Sequence, residues 1–108
     1  MLQLREGVRI NGLKPEALLG MIIVERVFSH YDAVMVVVSV ADGDHDGGEF
    51  STSAHYGGYA FDVLQPSSTV GATEAFEKEL QDALGVEFHV VAHKTKTHIH
   101  VAFIPQRN

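Results

Sequence analysis

The chain contains no cysteine. That excludes a disulfide scaffold, thiolate zinc sites and cysteine nucleophiles. Basic residues are also scarce, 8 against 14 acidic ones, for a formal charge of −6. A nucleic-acid groove needs clustered Lys and Arg to displace counterions, so this balance argues against nucleic-acid partners. No basic run is present to dock on anionic lipid. Long apolar runs are missing as well. The N-terminal segment lacks an apolar core behind a basic start, and residues 17–24 contain Gly20 and stop at Glu25. A spanning helix needs roughly 20 apolar residues. The sequence therefore predicts synthesis in the cytoplasm without a signal peptide and no membrane insertion.

What the chain has in excess is histidine, seven residues against eight Lys and Arg together. With 108 residues and 45% hydrophobic content it is read as one domain, residues 1–108, large enough for a modest core. Its polar ligands are nitrogen and oxygen donors, which suit a divalent metal.

Loose alternation over residues 2–10 predicts a short edge strand, and Asn11-Gly12 a turn. Pro15 suits the first turn of a helix over 15–29, in which Leu18, Leu19, Ile22, Ile23 and Val27 recur at helical spacing. That helix reads as mostly buried, with His30 placed to meet its last carbonyls. Residues 33–40 are β-branched and nearly all apolar, the pattern of a strand covered on both faces. Residues 42–58 hold five glycines, four acidic residues and two His, and read as a long functional loop.

Strand character returns over 59–64 and stops at Pro66. An amphipathic helix is predicted over 72–84, burying Phe76, Leu80, Ala83 and Leu84, with Gly85 as its C-terminal cap. Strands over 86–92 and 97–104 pair as a hairpin. The order of elements predicts an α+β domain, two helices on a small mixed or antiparallel sheet.

The chemistry is carried by two segments far apart in the chain. Alternation puts His98, His100 and Ala102 on one face of the last strand, the two imidazoles about 6.6 Å apart along it. The same rule groups Ala60, Asp62 and Leu64. His55 precedes Asp62 by seven residues across Gly57-Gly58, a corner able to fold an imidazole back over the strand. Two His and one carboxylate form a tripod that leaves a zinc ion one position for water. Taken alone, strand periodicity gives a metal site no preference over a hydrated surface pair.

The string Ser53-Ala54-His55-Tyr56-Gly57-Gly58-Tyr59-Ala60-Phe61-Asp62 fits Ser-x-His-x-x-Gly-x-Ala-x-Asp at every fixed position, with His98-Ile99-His100-Val101 downstream. In these features the chain resembles the zinc D-Ala-D-Ala carboxypeptidase family, most of all its short phage-encoded members, which share a fold with hedgehog signalling domains. The resemblance is best over the second half, from the Gly-rich loop onward. It implies a hedgehog/D-Ala-D-Ala peptidase-like fold and Zn²⁺ held by His55, Asp62 and His100. It also implies a peptidoglycan peptidase of the D,D-carboxypeptidase or L-Ala-D-Glu endopeptidase type, whose partner is the stem peptide.

Family members carry an acid three residues before the last ligand, where this chain has Thr97. His98 is the first substitute as catalytic base, because imidazole titrates in the useful range. His93 and Glu87 are further candidates on the adjacent strand. His89 shares their parity and reads as solvent-facing. Ser53 is expected to fix the loop by a hydrogen bond or to support His55 from behind. Tyr56 and Tyr59 read as packing at a strand start.

The departure at Thr97 motivates a second reading, a catalytically inactive metal-binding module that assembles with phage structural proteins in a virion. The peptidase would reach the wall after lysis or by delivery in a particle. Asp42-Gly43-Asp44-His45-Asp46-Gly47 matches the start of a calcium loop but lacks Glu at the twelfth position, Ser53, and reads instead as an acidic rim.

Overall fold

The computed structural model describes residues 1–40, 59–93 and 97–104. Among these residues two α-helices and five strands follow one another as β1 (Leu2–Leu4), α1 (Pro15–His30), β2 (Met35–Val40), β3 (Ala60–Leu64), α2 (Thr73–Leu84), β4 (Phe88–His93) and β5 (His98–Phe103), with a 3-10 turn at Ser67–Thr69. The strands form one mixed sheet in the order β1-β2-β3-β5-β4. Only β1 and β2 run parallel, joined through α1; the other three pairs are antiparallel. The α+β class and the order of elements agree with the sequence pattern.

Pro15 opens α1, where a missing N–H costs nothing. The helix closes by backbone alone. Asp32 N–H donates to the Ser29 carbonyl and Ala33 N–H to that of Phe28, with Asp32 in the left-handed conformation at φ 52°. This is a Schellman closure with aspartate where glycine is usual. The Phe28 and Ser29 carbonyls therefore meet backbone donors, not the expected His30.

α1 buries one stripe, Ala17, Gly20, Met21, Val24, Val27 and Phe28. Leu19 and Ile22, expected inside, are each 56% exposed. A helix laid on one face of a sheet is covered on one side only, and these two residues point outward. Gly20 marks the closest approach: a Cβ there would lie 2.5 Å from Cε2 of Phe88. α2 buries Phe76, Leu80 and Leu84, while Ala83 is exposed rather than buried as expected.

The helical stripes close over Val37, Phe61, Val63, Val90, Ile99 and Val101 in one core. β4 is the sheet's last strand, and α2 side chains seal its outer edge. Gln81 accepts from Val90 N–H and donates to the Phe88 carbonyl, and Glu77 accepts from Ala92 N–H. These bonds occupy the backbone groups that another chain would otherwise pair with.

Candidate metal and hydrolytic site

The core takes one face of the sheet, so the alternate residues share the other. The register brings them into rows. Leu64, His98 and His93 form one row, Ser39, Asp62, His100 and Val91 the next, and Ala60, Ala102 and His89 a third. The parity expected for β3 and β5 is the parity found.

Asp62 and His100 sit directly opposite each other. The Gln65 N–H to Thr97 carbonyl and Phe103 N–H to Tyr59 carbonyl bonds mark hydrogen-bonded positions at the two ends of this ladder. Alternation then makes Asp62/His100 a non-hydrogen-bonded pair, where Cα atoms approach to about 4.5 Å and side chains stand closest. Their Oδ1 and Nδ1 atoms are 2.9 Å apart, and the residues are only 5% and 7% exposed.

Ser39 completes the row. Its hydroxyl donates to Asp62 Oδ2 at 2.8 Å. The register between β2 and β3 shifts between Val37 and Ser39. Without that bulge Val38 would oppose Asp62, so the extra residue puts a hydroxyl where a methyl pair would stand. Sequence reasoning missed this residue. Its one signal was a single hydroxyl in an otherwise apolar strand. The support expected from Ser53 falls on residue 53, outside the described residues.

Ser, Asp and His in contact invite comparison with a nucleophilic triad. The connectivity differs, because Ser39 bonds the carboxylate rather than the imidazole. The chemistry open to the row is that of a carboxylate–imidazole pair. One arrangement is a hydrogen bond in which Asp62 holds the Nδ1 proton of His100. The other is shared coordination, since two donors on one tetrahedral zinc at ~2.0–2.1 Å lie about 3.3–3.4 Å apart. The observed separation is within half an ångström of that edge.

His98 and His93 face each other at the strand ends, both half-buried, with the His93 and His100 ring centroids 6.4 Å apart. His89 is exposed, as expected. Glu87 is not brought to the pair. It precedes β4, is exposed, and lies four residues, about 13 Å, along the strand from Val91 in the Asp62–His100 row.

Thr97 is exposed at φ 53°, just before β5. Tyr59 packs against Phe103, ring centroids 6.0 Å apart, consistent with a packing role. Tyr56, the proposed ligand His55 and the acidic loop of residues 42–49 fall outside the described residues. Among the described residues no group of three or more His, Asp or Glu side chains gathers as a metal site. Asp62 and His100 supply two donors of the kinds zinc takes. No described helix is long and apolar enough to cross a membrane.

No family model, curated protein or solved structure matches the chain.

Proposed function

We propose that this chain is a phage-encoded zinc-dependent peptidase of bacterial peptidoglycan, of the D,D-carboxypeptidase or L-Ala-D-Glu endopeptidase type. It would meet the stem peptide after lysis or by delivery in a particle. The observation that carries the reading is the buried Asp62–His100 pair, 2.9 Å between donor atoms, on the sheet face opposite the helices' core. Charged and polar groups are buried at a cost that a structural strand pair has no need to meet.

Zinc would be held by Asp62, His100 and His55, and when bound it polarises a peptide carbonyl and lowers the pKa of water toward about 7. The protein's own part is to orient and to move protons. Ser39 fixes the Asp62 carboxylate, and strand pairing sets that carboxylate beside the His100 ring. Thr97 cannot accept a proton at neutral pH, so His98, backed by His93, takes the base's role.

Incubation of the zinc-loaded protein with purified muropeptides, read by mass spectrometry, tests this. New fragments are expected, lost in Asp62→Asn and His100→Gln and reduced in His98→Ala. A folded, zinc-loaded protein that leaves every muropeptide intact contradicts it.

One observation favours the second reading, an inactive metal-binding module of a virion. Thr97, which is no general base at neutral pH, stands where the family has its acid. Zinc bound without turnover, in a protein that co-purifies with phage particles, identifies that case.

A further inference from the structure

A cavity of about 390 Å³ opens where β2 begins and β3 ends, beside the candidate site. Val34, Val36, Leu64 and Pro66 line it, together with Tyr31 and Asp32. Leu64 connects the two features: it lines the cavity, pairs with His98, and lies two residues from Asp62, about 6.6 Å along β3. That step is the spacing of alternate side chains in an extended peptide.

The cavity is built rather than incidental. The Gln65 side chain donates to Thr69 and Thr73 and so pins the turn that carries Pro66. The Schellman closure of α1 fixes the backbone at Asp32, another lining residue. Among the described residues Asp32 is the one charged group in the lining, and no cation pairs with it. Apolar residues lining a pocket together with a single acidic residue complement an aliphatic stem that ends in an ammonium group.

We infer that this pocket binds the lysine-like side chain of the peptide taken by the Asp62–His100 site. The inference rests on the peptidase reading for the peptide's identity. Its chemistry, an aliphatic chain with a terminal cation, comes from the pocket alone.

Methyl NMR of the full chain, following Val34, Val36 and Leu64, tests it with two blocked amino-acid probes, Nα-acetyl-lysine methylamide and its norleucine counterpart. The lysyl probe is expected to shift these methyls at lower concentration than the uncharged one. Asp32→Asn retains the left-handed backbone, which asparagine tolerates, and should weaken the lysyl probe about two- to five-fold while leaving the norleucyl probe unchanged. Added salt should narrow the same difference in the native protein. Equal response to the two probes, or shifts confined to other methyls, overturns the proposal. Selective lysyl shifts in a protein that cleaves no muropeptide support the pocket and remove the peptidase.

Discussion

Ser39 donates to the one carboxylate oxygen of Asp62 that His100 leaves unused, and it does so because a bulge in β2 displaces Val38 from that position. A hydroxyl has been put behind a buried acid at the cost of a regular ladder. That is the pattern of a group whose orientation matters.

Ser39→Ala removes this hydrogen bond to a buried carboxylate. The expected loss is about 1.5–3 kcal/mol of stability, the range for hydrogen bonds to charged groups. Zinc affinity should fall by about ten-fold or more, as for other outer partners of metal ligands. Thermal denaturation and zinc titration of the folded variant check the two effects separately.

Gly20→Ala sets two terms against each other. Alanine gains roughly 0.5–1 kcal/mol in a helix interior, whereas overpacking costs about 1–3. The new Cβ would lie 2.5 Å from the Phe88 ring, which is itself wedged edge-on against Phe103. Destabilisation by about 1 kcal/mol is expected in chemical denaturation. A more stable variant would show that α1 can lift off β4 without loss.

The shared face of Asp62 and His100 was legible in the sequence, because strand parity needs only the positions within each strand. Their direct opposition was not. It depends on β5 entering the sheet between β3 and β4, and on a register set across α2 and the intervening chain. The expected hairpin showed that β4 and β5 are neighbours but not which of them meets β3. Ser39 was hidden for a related reason, since a bulge changes which residue faces a partner without changing composition. Leu19 and Ile22 misled because apolar residues all round a helix read as burial on all sides, while this helix has the sheet on one side only.

Gln81→Leu unseals the outer edge of β4, removing the acceptor for Val90 N–H and the donor to Phe88. A loss of about 1–2 kcal/mol is expected. Self-association should rise with concentration in sedimentation or size-exclusion runs, since an open strand edge offers pairing to another chain. A variant that stays monomeric and fully stable would assign these bonds no protective role.

Tyr31 donates its phenol proton to Glu79, linking the end of α1 to α2. That bond to a carboxylate raises the phenol pKa above its ordinary value of 10.0. A raised pKa in the folded state means the contribution is fully present below pH 10 and is lost as pH rises through the folded value. Tyr31→Phe should remove an alkaline stability loss that the native protein shows above about pH 10. Denaturant midpoints on either side of that pH measure it.

Calorimetric titration of Zn²⁺ into the native chain, Asp62→Asn and His100→Gln bears most directly on the central claim that this buried pair grips a cation. One tight equivalent per native chain is expected, weakened by well over ten-fold in each variant while circular dichroism shows both still folded. Affinity that is absent in the native chain, or unchanged when either side chain is replaced, would contradict it.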